Sequence, residues 1–149
     1  MDKTKFKGLF DDIFESNGFK KKGNNWFIDG TELKKLANLQ RSNFSDYYYL
    51  NFGFLINKLE SEDLQTHVSY RLSSTEKAEN QRIDDLLNLD SNIDEEQRVS
   101  ELRFHLITDV TGRLQKINTE AELLSELKNR SHLNDIPLPV KKYFNLLPN

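Results

Sequence analysis

The sequence has no cysteine, one tryptophan, one methionine and three prolines in 149 residues. The missing cysteines exclude disulfides and thiolate metal sites, and they are compatible with a reducing compartment. Mean hydropathy is −0.71, and no apolar run approaches the ~20 residues that span a bilayer. The opening MDKTKFKGLFDD has no apolar stretch of the kind a secretory leader needs. A cytoplasmic protein with no membrane attachment is therefore the expectation. There is no Gly-x-Ser-x-Gly elbow and no phosphate-cradling glycine loop. The acid pairs Asp11-Asp12 and Asp84-Asp85 are adjacent residues on expected helices, so they diverge rather than face one site. These gaps lead to an expectation of no catalytic residue, no metal and no cofactor.

Charge of one sign is also lacking. Lys and Arg number 21 against 24 Asp and Glu, a net charge of −3, and the pI is about 5.7. A general nucleic-acid binder carries a clearly basic footprint, so nucleic acid is not the expected partner. The distribution is uneven, however. Residues 1–50 hold nine basic residues against seven acidic, and residues 51–100 hold five against eleven.

What is present is a clustered, periodic set of apolar and aromatic residues, 36 % hydrophobic and 11 % aromatic. A chain of this length forms one domain, residues 1–149, with enough core to stand without staples. Phe6, Leu9, Phe10, Ile13 and Phe14 recur at helical spacing and predict a helix over 4–17. Asn17-Gly18 is its stop signal, with Gly18 left-handed and Phe19 packing back on Phe14. A basic turn, Lys20 to Lys22, follows. Asp29-Gly30 reads as a hairpin turn between a strand at 26–28 and a second strand at 33–41. After a polar turn come a third strand at 47–56, a polar acidic loop at 57–66 and a fourth strand at 67–73.

The period then changes. Ile83, Leu86 and Leu87 predict a short helix. Val99, Leu102, Leu106, Val110, Leu114 and Ile117 predict a long one over 94–116, bent near Gly112. Thr119 with Glu122 is a capping box, and Pro137 and Pro139 open a last helix. Short links between successive strands require an antiparallel sheet. The expected fold is α+β: an N-terminal helix, a four-stranded antiparallel meander, then C-terminal helices packed on the sheet.

Several pieces, in this order, resemble a bacterial family known as domain of unknown function 4304. They are the first helix running into GFKKKGNNWF, the LQRS strand end, the YYYLNFGFLI strand, the SYRL strand and the DEEQRVSELRFHL helix. None is a catalytic signature. The resemblance implies a small single-domain protein, and it brings no functional residues.

Strand alternation divides the sheet into two faces. Tyr48, Leu50, Phe52, Phe54 and Ile56, with Val68, Tyr70 and Leu72, make the core face. If the turn between the second and third strands centres near Phe44-Ser45, Gln40 lies opposite Tyr49 and Asn38 opposite Asn51. The second face then gathers Asn38, Gln40, Tyr49, Asn51, His67 and Arg71. Amides, a phenol, an imidazole and a guanidinium suit an anionic or planar ligand. The ordinary explanation is a solvated face with cross-strand pairs, or a face buried under the C-terminal helices.

Other clusters read as structure. Lys20, Lys21 and Lys22, with Lys34, Lys35, Arg41 and Trp26, could form an anion patch with a stacking ring. Lys34 and Lys35 must point to opposite faces of a strand, though, so a solubilising turn with Trp26 in the core is the better account. Glu101, His105 and Asp109 fall four apart on one helix flank, but no ligand pair on a second element accompanies them. A charge ladder with Arg98 explains the spacing. His132 sits in a polar loop and suggests nothing. The acidic middle, Asp84 to Glu96, could steer a basic partner.

The expected function is a binding or interaction module. Its leading form binds another protein, of the toxin-neutralising kind. The alternative binds a small anionic ligand or nucleic acid on the polar, aromatic sheet face. A helix-covered sheet with a patch elsewhere favours the first, and an open, basic sheet face favours the second. Oligomeric state is not legible in the sequence.

Overall fold

The computed structural model describes residues 1–59 and 66–147. The fold is α+β: an N-terminal helix, an antiparallel sheet, then C-terminal helices. The sheet has five strands rather than four, in the order β1 (Lys20–Lys22), β2 (Asn25–Asp29), β3 (Leu33–Arg41), β4 (Tyr48–Ile56) and β5 (Val68–Arg71). Every neighbouring pair is antiparallel, so the sheet is a simple meander. Most of the acidic loop expected at 57–66, its residues 60–65, lies outside the described residues.

Helix α1 (Lys3–Ser16) begins at Asp2, whose carboxylate accepts the Lys5 N–H. It ends in a Schellman motif. Gly18 has φ +89°, and the Phe19 and Gly18 N–H groups bond the Phe14 and Glu15 carbonyls. The Phe19 ring meets Phe14 edge-on at 5.3 Å. Phe6, Phe10 and Phe14 then pack on Tyr48 and Trp26 of the sheet.

The extra strand explains two departures from the sequence reading. Lys20 to Lys22 is not a turn but β1, paired to β2 through Lys22↔Asn25. Gly23 and Asn24 make the two-residue connection. Gly23 alone of the two takes a positive φ, +64°, the pattern of a type II′ turn. Asp29-Gly30 is not such a turn. Asp29 pairs with Lys34, so four residues, 30–33, lie between the last paired positions of β2 and β3. Neither Asp29 nor Gly30 has a positive φ. Glycine is needed at 30 for space, because a Cβ there would lie 2.6 Å from the Leu33 carbonyl oxygen.

Helix α2 (Lys77–Leu86) is followed by α3 (Glu95–His105), which runs on through a π-helical segment (Leu106–Thr111) into α4 (Gly112–Gln115). Where a bend near Gly112 is expected, the helix carries this π segment. The Gly112 N–H reaches the Ile107 carbonyl five residues back, and a Cβ on Gly112 would meet that oxygen at 2.7 Å. The capping box at Thr119 opens α5 (Glu120–Lys128), and Pro137 precedes α6 (Leu138–Tyr143). Leu102, Leu106, Val110, Leu114, Leu123 and Leu127 are all buried and join the core face of the sheet.

Burial alternates along β3 and β4 except at Gly53, which lies buried against the β5 backbone. One face is core, and the other is left open to solvent. Gly53 sits on the open face opposite Ser69. A Cβ there would fall 2.0 Å from the Val68 carbonyl oxygen, a backbone atom that cannot swing aside. Gly53→Ala should therefore force β5 away from β4, costing about 1–3 kcal/mol as overpacking does. Urea melts would read the loss, and faster amide exchange confined to β5 would locate it. An alanine variant with unchanged stability would show that the two strands are farther apart than described.

Candidate functional site on the open sheet face

Pairing places Gln40 opposite Tyr49 and Asn38 opposite Asn51, the register expected from the sequence. Arg71 lies opposite Asn51 on the edge strand. These five residues are brought together, because β3, β4 and β5 each present alternate side chains to the same side. The Arg71 Nε donates to Asn51 Oδ1 at 2.9 Å, and Asn51 Nδ2 donates to Gln40 Oε1 at 3.0 Å. The Arg71 guanidinium lies over the Tyr49 ring, 4.3 Å from its centre. Asn38 turns the other way and donates to Asn25 Oδ1 of β2 at 2.8 Å.

The result is a guanidinium fixed on two sides, by an aromatic face and by an amide chain. Its Nη groups have no hydrogen-bond acceptor among the described residues, and the side chain is exposed. A fork held this way is oriented in advance for a carboxylate or phosphate.

His67 does not join this group. β5 begins only at Val68, and His67 is 1 % exposed. Its Nδ1 accepts the Ile56 N–H at 2.8 Å, so the imidazole closes the end of the β4–β5 ladder.

The same face continues across β1 to β3. Lys20, Lys22 and Lys34 lie there with Phe27 and Leu36, by the pairings Lys20↔Phe27, Lys22↔Asn25, Phe27↔Leu36 and Asp29↔Lys34. Lys34 Nζ sits 4.6 Å from the centre of the Phe27 ring. A shallow hollow of about 250 Å³ is lined by Lys22, Asn25, Phe27, Lys34 and Leu36. Asp29 is the one acid that these strands place on this face, 3.9 Å from Lys34. The face is therefore locally basic on an acidic protein. Sequence reading missed the contribution of Lys20, Lys22 and Phe27, because it took 20–22 for a turn. The Gly-Asn pair after Lys22 was the available signal.

The rim of the site is anchored to α2. The Tyr47 hydroxyl donates to Asp84 at 2.8 Å, and its ring meets Tyr49 edge-on at 4.7 Å. Burial, reinforced by the Asp84 carboxylate, pushes the Tyr47 phenol well above its ordinary range, so Tyr47 stays a neutral donor.

The other lysine candidates scatter. Lys21, opposite Trp26, lies on the helix side of the sheet and bonds Asp11 of α1 at 2.9 Å. Trp26 is buried, with its indole N–H donating to the same carboxylate at 3.0 Å, so it cannot stack a base. Lys35 lies on the core side, buried, and its Nζ donates to Asn118 at 2.6 Å. It lines a cavity of about 540 Å³ with Glu32, Asn118 and Thr119. Burial lowers its pKa, and the Glu122 carboxylate offsets this in part.

Neither a curated protein nor a solved structure matches the chain. The family model described as Domain of unknown function (DUF4304) matches residues 10–116. That stretch runs from α1 through the whole sheet, with Arg71 and its partners, to the end of α4, more than half of the chain. The protein belongs to the family of the domain of unknown function DUF4304.

Proposed function

We propose that the protein is a binding module whose working surface is the open sheet face, where Arg71 receives the carboxylate or phosphate of a small, planar anionic ligand. The observation that carries this reading is the Arg71 guanidinium, stacked on Tyr49 and held by Asn51 and Gln40, on a face that no described helix covers. Surface arginines on a solvated sheet are usually loose. Fixing one in this way costs side-chain entropy, and a bound anion recovers that cost. Lys20, Lys22 and Lys34 add attraction at longer range, and Tyr49 and Phe27 offer flat apolar surface. The protein-binding reading rests on the acidic segment of Asp84 to Glu96, and the open, basic sheet face lends it less support.

Arg71→Lys separates a binding role from a structural one. Lysine keeps the charge but cannot reproduce the fork. The melting temperature should stay nearly unchanged, while affinity for an anionic ligand falls about tenfold or more. NMR titration of the full chain with inorganic phosphate, a mononucleotide and a mixed-sequence single-stranded oligonucleotide supplies the readout. Shifts should cluster at Asn38, Gln40, Tyr49, Asn51 and Arg71 with the small anions. The oligonucleotide should not reach submicromolar affinity at physiological salt, given the acidic chain. Steep salt dependence with tight oligonucleotide binding would reassign the face to nucleic acid. A large thermal destabilisation in Arg71→Lys, with no anion bound by the wild type, would remove the face from consideration.

A further inference from the structure

Three elements converge on a second cluster, away from the sheet face. Glu79 comes from α2, His105 closes α3, and Asp109 lies in the π-helical segment. One donor atom from each lies within 4.8 Å of the other two. His105 is buried, 8 % exposed, and its Nδ1 is 2.8 Å from Asp109 Oδ2. Atoms bound to one zinc ion at ~2.0–2.2 Å stand about 3–4 Å apart. The pair already has nearly that spacing, and the exposed arm of Glu79 can close the remaining gap.

The surroundings favour a cation. Arg82, the nearest base lining the site, is neutralised by a two-pronged contact with Glu101 at 2.6 and 2.9 Å. Among the described residues no lysine or arginine pairs with Glu79 or Asp109, and the contact of Asp109 is with His105 itself. A cavity of about 480 Å³ opens beside the cluster, lined by Glu79, Arg82, Ser100, Glu101, Phe104 and His105. Phe104 is 62 % exposed and meets the His105 ring edge-on at 5.7 Å, so an apolar wall shields one side of the imidazole. The helix is also locally altered at this point. The π segment, which only glycine at 112 permits, carries Asp109, and such turns inside α-helices often mark functional positions.

We infer that Glu79, His105 and Asp109 form a binding site for one first-row divalent cation, zinc above all, with a coordination position open to the cavity. One imidazole nitrogen and two carboxylates suit zinc and disfavour magnesium and calcium, which take oxygen ligands. The site does not depend on the sheet-face reading.

Isothermal titration calorimetry of the full chain with zinc chloride tests it. One equivalent should bind, with millimolar magnesium failing to compete. Glu79→Gln and Asp109→Asn alter surface-accessible groups, so both should melt like the wild type while binding zinc at least ~10-fold more weakly. His132→Ala, at an exposed residue outside the three-ligand group, should bind as the wild type does. No heat with millimolar zinc, unchanged affinity in both carboxylate variants, or loss of binding on changing His132 would each overturn the assignment.

Discussion

Truncating Phe52 to alanine should lower stability by about 3–5 kcal/mol in urea melts, the range for removing a buried aromatic ring. Phe52 is 3 % exposed at the middle of β4. Its cross-strand partners are Ala37 and Tyr70. Its ring stacks on Tyr70 at 5.3 Å, nearly parallel. Ala37 has no side chain long enough to fill the space left behind. Tyr70 cannot swing in freely either, because its hydroxyl bonds Glu126 of α5 and the Arg113 guanidinium lies 4.0 Å over its ring. The cavity therefore persists, and its cost adds to the lost transfer energy. The contrast is Tyr49→Ala, one strand position family away on the open face, which should cost about 1 kcal/mol or less beyond its contact with Arg71. If Phe52→Ala lost well under 1 kcal/mol, the faces of the sheet would be assigned backwards, since a one-residue slip exchanges them.

The register of β3 on β4 was legible from a turn centred near Phe44-Ser45, and the run Tyr48, Leu50, Phe52, Phe54 and Ile56 set which face is core, although β3 puts Lys35 there. A slip would have buried Asn38, Gln40 and Asn51. The same logic placed Arg71 beside Asn51. It failed one residue earlier: His67 lies before the strand begins, so alternation carries no information about it. β1 was hidden for a related reason. All three of its lysines are exposed, so no hydrophobic period marks it, and only the Gly23-Asn24 pair betrays the hairpin. Asp29-Gly30 misled because the dipeptide signal is local, whereas the connection length is set by where Lys34 finds its partner.

Long-range assembly was beyond the sequence. Glu101, His105 and Asp109 looked like one helix flank with nothing opposite. Folding instead gives Glu101 to Arg82 and supplies Glu79 from α2. No spacing rule links residues 79 and 105, because the α2–α3 connection, not helical periodicity, sets their distance. Arg98 was misjudged in the opposite direction. Helical spacing to Glu101, His105 and Asp109 suggests a rung of a surface charge ladder, yet Arg98 falls four residues before Leu102 and eight before Leu106, on the stripe that faces the core. A charged residue on that stripe was the clue.

Arg98→Ala should accordingly destabilise the protein by about 3–5 kcal/mol, as losing a buried network of charge-assisted hydrogen bonds does. The side chain is 1 % exposed, and among the described residues no carboxylate makes an ion pair with it, Asp85 acting only at longer range. Its Nη1 donates to the carbonyls of Asp85, Leu86 and Asn88 at 3.1, 2.6 and 3.1 Å. Its Nη2 donates to the Ser91 carbonyl at 3.0 Å. Asp85 and Leu86 belong to the last turn of α2, where carbonyls have no partner within the helix. The partial negative charge of that helix end stabilises the cation. Asn88 and Ser91 belong to the link into α3, so one guanidinium ties the end of α2, the link and α3 together. Removing it strips a charged donor from all four carbonyls: those of Asp85, Asn88 and Ser91 keep backbone N–H donors, and that of Leu86 keeps none among the described residues, a loss of about 1–3 kcal/mol if water cannot reach it. Arg98→Lys should recover only part of the loss, because one compact ammonium cannot span carbonyls spread over seven residues. Hydrogen exchange should locate the damage at residues 85–91 before the sheet responds. A melt of Arg98→Ala that overlays the wild type would mean that water replaces the guanidinium at no cost, and the α2–α3 corner would then owe its geometry to Ile83, Leu86 and Leu102 alone.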